Sequence, residues 1–261
     1  MNTLDISYFG LAVGLLLMAI PLYAFHYFRV GQVLSTLIAT VRMVVQLSLI
    51  GIYLKYLFLW NNLWLNLLWV LVMVVVAAST ITSRTRLRFL TIFFPLVSSL
   101  LASALVVGLY FLLPVLHLSH PFDARYFIPI MGILMGNMLG VNVMGLNTYY
   151  DCLQREQQLY YYLLGNGATH IEAVTPFVRQ ALEKSFAPCI GNMAVMGLVS
   201  LPGTMIGQIL GGSSPDVAIK YQMMIIVITF VASMFSLLIT LYLADRRSFD
   251  VSGSLRQVRK S

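Results

Sequence analysis

What most limits the fold of this chain is a stretch of about 20 apolar residues that recurs along its length, each long enough to cross a bilayer as a helix. Seven such spans fit best, at about 6–27, 36–58, 61–82, 91–114, 126–147, 186–210 and 220–243. A six-span reading stays open, in which the first run is re-entrant or lies in the interface. The residue balance agrees with a polytopic chain: 59% of the 261 residues are hydrophobic and 10% are charged, where a soluble domain carries about 25% charged. The expected fold is therefore all-α, one transmembrane domain over residues 1–261, with no room between spans for a large soluble unit.

The formal charge of +7 sits mostly in short connections. With the C-terminus inside, the inner segments hold Arg29, Arg84, Arg86, Arg88, Arg155, Arg179, Lys184, Arg246, Arg247, Arg256, Arg259 and Lys260, against Lys55, Arg125 and Lys220 outside. Twelve against three predicts the N-terminus outside, the C-terminus in the cytoplasm, and a basic tail at about 245–261 along the anionic inner leaflet of a plasma membrane. The basic excess has no clustered face or recognition module for nucleic acid. Cys152 and Cys189 lack any disulfide or zinc spacing. The first apolar run follows Asp5 without a basic leader or small-residue cleavage site, and reads as a retained span.

Inside the spans a few residues stand out. Arg42 and Gln46 share a helix face in the second; Arg42 either snorkels to the inner surface or faces protein or water within the bilayer. In the fifth, Gly132, Gly136 and Gly140 follow the small-xxx-small pattern of closely packed membrane helices. Met131, Met135, Met138 and Asn142 line another face, a stripe that fits ordinary packing or a row of soft metal ligands. The sixth puts Cys189, Met193, Met196 and Ser200 on one face before Pro202-Gly203, which should break it; broken helices at membrane depth often mark transport sites. His117, His120 and Asp123 lie together in an outer loop, either as exposed residues or as metal ligands.

Between the fifth and sixth spans lies the longest inner segment, about 148–185. Arg155–Leu164 (REQQLYYYLL) reads as an interfacial helix. Gly165 and Gly167 should end it, and Thr169 with Glu172 has the spacing of a capping box that starts another. The result is a compact elbow, whose plainer reading is an ordered loop. No nucleotide-binding G-x-x-x-x-G-K-[ST] and no paired catalytic carboxylates occur, and no acidic residue lies deep in a span. An energised transporter would need its engine on another chain; an unenergised one would be a channel or scaffold.

The segment LLGNGATHIEA resembles the coupling segment of ABC permeases. VRMVVQLSLIGIYL (41–54), PIMGILMGN (129–137), EQQ with GAT (156–169), and above all GLVSLPGTMIGQILGGSSPDVAIKYQ (197–222) resemble the FetB-type iron-export ABC permeases. Plant aluminium-tolerance permeases are among the relatives of that family. The resemblance implies a non-enzymatic permease that pairs with a second copy of itself and with a cytoplasmic ATPase subunit. ATP and magnesium would sit on that ATPase, this chain would hold no cofactor, and the substrate would be iron or another metal ion. It places Glu156, Gly165, Gly167, Ala168 and Thr169 at the coupling turn. Arg42, Gln46, Asn137, Pro202, Gly203, Gln208 and Pro215 fall at family motif positions, and with Asn142 and Ser200 the first six of these make a candidate translocation path. Cys189, Met193, Met196 and the Met131, Met135, Met138 stripe are the candidate metal ligands. Some relatives carry an acidic residue and a lysine early in the sixth span, where this chain has Gly191 and Val195, so those charges do not transfer. An ABC permease for a sugar nucleotide or another small organic solute is the alternative, beside the channel or scaffold.

Overall fold

The computed structural model describes residues 7–250; Asp5 and the tail residues Arg256, Arg259 and Lys260 lie outside that range. The described chain is helical throughout, without a named strand. Helix α1 (Tyr8–Leu16) and α2 (Ala19–Tyr27) meet at Leu17–Met18, where Pro21 supplies no N–H for the Leu17 carbonyl and Ile20 N–H takes it at 3.2 Å instead. Then come α3 (Val33–Trp60), α4 (Leu63–Thr85) and α5 (Phe89–Tyr110), the last closed by a π-helical turn at Phe111–Val115. Helices α6 (Ala124–Arg155), α7 (Gln157–Gly165), α8 (His170–Val195), α9 (Gly203–Leu210) and α10 (Pro215–Ser248) complete the chain. Six stretches are long and apolar enough to cross a membrane: Tyr8–Tyr27, α3, α4, Phe89–Val115, α6 and α10. The protein is a polytopic, all-helical integral membrane protein.

The span predicted at 186–210 is broken, as Pro202-Gly203 implied, and the interruption is longer than those two residues. Helix α8 stops at Val195, Met196 and Ser200 form an isolated bridge, and a helix resumes only at Gly203. The break begins six residues before Pro202-Gly203, at Met196, because Gly197 takes φ +87° and its N–H bonds the Ser200 carbonyl at 2.9 Å rather than continuing the helix. Pro202 then disfavours a helical conformation at Leu201, which precedes it. Helix α8 begins at the end of the bundle where α10 finishes, and neither it nor α9 is among the six stretches long and apolar enough to cross a membrane.

The core is built by α4, α5, α6, α8 and α10, where Ile81, Leu96, Met131, Leu134, Phe177 and Leu237 are sealed. Polar residues inside it bond across helices: Ser99 with Thr240 at 2.5 Å, and Asn142 Nδ2 to Ser236 Oγ at 2.8 Å. By contrast, nothing in the apolar windows of α1–α2 and α3 is buried within one copy.

Two glycines set the closest approaches. At Gly108 the Met131 thioether fills the space a side chain would need, and at Gly145 a Cβ would meet Leu237 Cδ1 at 2.5 Å and Ser185 Oγ at 3.0 Å. Gly145→Val should overpack the α6–α8–α10 contact and cost about 1–3 kcal/mol. A thermal melt of the purified protein checks this, and an unchanged melting temperature would remove Gly145 from the packing account. The expected glycine stripe behaves differently: Gly132 touches only Met73, and Gly136 and Gly140 face open space. Gly140 lines a groove rather than a helix contact.

Candidate functional site: an elbow and a groove

The elbow is built by local rules. Helix α7 ends in a Schellman turn, with Gly167 N–H on the Leu164 carbonyl at 3.0 Å and Ala168 N–H on the Leu163 carbonyl at 3.1 Å. Gly167 holds the left-handed position of that motif at φ +88°. Gly165, expected to share this role, is the last helical residue of α7. Two residues past Gly167, Thr169 caps α8 with a full capping box: Glu172 Oε2 accepts from Thr169 N–H at 2.8 Å and from its hydroxyl at 2.8 Å. Glu156 stands at the N-cap position of α7 without a side-chain capping bond and pairs with Arg155 at 3.6 Å.

Those bonds hold the Glu172 carboxyl below the usual carboxylate range, the backbone bond to Thr169 being the larger cause. A carboxyl whose folded pKa is depressed contributes stability above its unfolded pKa and loses it as pH falls through the folded one. The start of α8 should therefore stay protected through the neutral range and fray only in acid, which hydrogen exchange at residues 170–173 measures. Protection that is already gone near neutral pH would count against the capping box. Burial and the nearby Asp245 push the Tyr160 phenol up to about 12, so it remains a hydroxyl donor at any physiological pH.

What ties the elbow to the bundle is a network absent from the predicted residues. Tyr160 Oη lies 2.9 Å from His170 Nδ1, and His170 Nε2 lies 2.6 Å from Asp245 Oδ2 near the end of α10. Tyr149 of α6 donates to the other oxygen, Asp245 Oδ1, at 2.7 Å. With the imidazole proton on Nε2, Tyr160 donates to Nδ1, the ring donates to the carboxylate, and every partner is satisfied. Phe249 closes over the ring at 4.6 Å between centroids. Elements α6, α7, α8 and α10 thus meet in one cluster.

The groove runs over α6 between α4 and α8. It begins at the elbow end between Arg84, Arg155 and Lys184, passes Thr148, Met144 and Gly140, and encloses about 960 Å³. Where it ends at Pro188, a pocket of about 260 Å³ starts, lined by Asn137, Cys189, Met193, Met196, Gln222 and Ser233. Asn137 stands about 20 Å along α6 from Ala124, at 1.5 Å per residue, near mid-membrane if the helix stands close to upright. The pocket sits under the break: Thr204 of α9 hydrogen-bonds Gln222 of α10, and Pro202 and Met205 line the adjoining cavity with Met193 and Met196. Inside, the buried Ser233 hydroxyl has no partner.

Of the predicted path and metal residues, Asn137, Cys189, Met193 and Met196 come together in this pocket, with Pro202 beside it. Gln208 and Gly203 lie on α9, and Ser200 in the break. Asn142 is buried in the core, bonded to Ser236 and to the Met138 carbonyl. Met131, Met135 and Met138 are also sealed in that core, because their face of α6 points away from the groove. Arg42 and Gln46 are exposed on α3, away from both cavities. In the outer loop Asp123 is the cap of α6, accepting from Arg125 N–H at 3.0 Å. The three residues His117, His120 and Asp123 do not form a ligand cluster, and none of three or more His, Cys, Asp or Glu occurs among the described residues. Sequence reading also missed Thr204, Gln222 and Ser233; the spacing of Gln222 and Ser233 along α10 is the one signal that places them on a common helix face.

Comparison with known proteins follows the same length of chain. The family profile described as "Uncharacterised protein family (UPF0014)" matches residues 8–249. The "UPF0014 membrane protein YjkA" of Bacillus subtilis strain 168 is 28% identical over 251 residues, 96% of this chain and 99% of its own. The "Probable iron export permease protein FetB" of Escherichia coli K12 is 29% identical, covering 96% and 95%. The "UPF0014 membrane protein STAR2" of Oryza sativa subsp. japonica is 32% identical, covering 82% and 74%. No solved structure matches the chain.

Proposed function

This chain belongs to the UPF0014 family of membrane proteins, and from that premise we propose that it is the membrane-spanning subunit of an ABC transporter that exports iron or another metal. The ATPase is a separate cytoplasmic chain that carries ATP and magnesium, and two copies of each subunit form the transporter. The elbow faces the cytoplasm, with the N-terminus outside and the C-terminus inside. The observation that carries the reading is the elbow itself: a glycine-closed helix, a capped helix two residues on, and the His170–Asp245 tie to α10. Such a rigid, surface-presented turn can transmit a push from a docked partner into α8 and α10, the helices that wall the pocket. The permease name of the Escherichia coli relative supports the direction and the metal.

The test is purification from its native membrane, followed by reconstitution. A stoichiometric ATPase should accompany the chain, and its ATP turnover in vesicles should rise with the exported metal. A chain that purifies without any nucleotide-binding partner would return the channel or scaffold reading. Turnover stimulated only by organic solutes would keep the ABC architecture and overturn the metal.

A further inference from the structure

The groove and the pocket beyond it carry a charge pattern that restricts what can enter. At the mouth stand Arg84, Arg155 and Lys184, against Asp151 in the lining and Glu156, which pairs with Arg155 at 3.6 Å, so that the balance stays positive. In the pocket the polar groups are the amides of Asn137, Asn192 and Gln222, the hydroxyls of Thr204, Thr229 and Ser233 and the Cys189 thiol, with neither carboxylate nor imidazole among its lining residues. A bare divalent or trivalent cation would be repelled at a net positive mouth. It would then lose its water in a pocket lacking the carboxylates that hard cations require. An anion meets the opposite terms. The mouth concentrates it, and the pocket offers neutral donors, including the Ser233 hydroxyl that has no partner in the protein.

We propose that the groove over α6 is an anion-admitting vestibule, so that the cargo enters as a species bearing phosphate or carboxylate groups. A metal then enters only within an anionic complex of such groups. The word cargo rests on the permease reading; the anion site does not.

Charged thiol reagents read the potential directly. Asn147→Cys, which lines the groove, is made with Cys152→Ser and Cys189→Ser, and the protein is placed in zwitterionic nanodiscs. After normalisation to a small free thiol, a sulfonate-bearing methanethiosulfonate should react about tenfold faster than its trimethylammonium counterpart. Arg84→Glu with Lys184→Glu, two exposed positions, should abolish or invert that ratio; the neutral pair Arg84→Gln with Lys184→Gln should lower it without inversion. Equal rates in the unaltered groove, or a preference for the cation, would overturn the proposal. Inorganic phosphate and citrate at millimolar concentration should slow the reaction in zwitterionic discs. Protection that appears only when phosphatidylglycerol is added would assign the site to a lipid headgroup and overturn the cargo reading. None of these measurements needs the ATPase, so their failure is distinct from failure to find that partner.

Discussion

Replacing Gly167 with valine is expected to leave a protein that inserts and purifies normally but no longer converts ATP turnover into transport. The space around Gly167 is open, so the substitution causes no collision. Its whole effect comes from φ +88°, which a β-branched residue reaches only at a cost of about 1–3 kcal/mol. That is about a fivefold to more than hundredfold shift in the population of the elbow's conformation. Gly167→Asn is the control, since asparagine tolerates the left-handed region, and it should retain most of the transport. Vesicle uptake measured beside ATPase activity separates the two quantities. Transport by the valine variant at the native rate would mean that the turn is not where force enters.

The second large effect is expected at Asp245. Alanine there removes the acceptor of two side chains at once, stranding the Tyr149 hydroxyl, buried in the core, and releasing His170. The cost should be about 2–3 kcal/mol in the stability of the elbow end, in the range for a bond to a charged group plus an orphaned buried donor. His170→Ala should cost less, because that side chain is partly exposed. The double variant should be less destabilised than the sum by about 1 kcal/mol, the mark of residues sharing one network. Thermal melts of the four proteins in the same nanodiscs give the cycle. Strict additivity would mean that His170 and Asp245 act independently, and the tie between elbow and α10 would be lost as an explanation.

How much of this was legible beforehand follows from the range of each signal. The elbow was readable because a Schellman glycine and a capping box are written within residues 167–172. Gly167, Thr169 and Glu172 needed no tertiary knowledge. His170 and Asp245 are 75 residues apart, and no local pattern joins them. Hydropathy placed most spans but not the helices that carry them: α6 and α10 run to 32 and 34 residues, beyond the apolar windows, because a helix need not end where the bilayer does. The same measure runs 186–210 as one span; Pro202-Gly203 marked a break in it, but the earlier stop at Val195 was hidden, since Gly197–Leu201 is apolar enough for lipid though its backbone is not helical. Leu198 and Val199, 91% and 82% exposed, show side chains meeting the hydropathy signal while the main chain bends away. The Gly136–Gly140 pair fitted a packing motif and instead faces open space, with Gly140 on the groove, because spacing defines a face and not what lies opposite it.

One consequence of α8 concerns mechanical advantage. It is unbroken for 26 residues from the capped elbow to Val195, about 39 Å at 1.5 Å per residue. Cys189 and Met193 ride near its far tip. A tilt of about 5° about the capped end would swing that tip by about 3 Å, by the same rise per residue. That stroke matches the width of a water molecule, so a small rocking at the capped end would be geared up at the pocket that Cys189 and Met193 line.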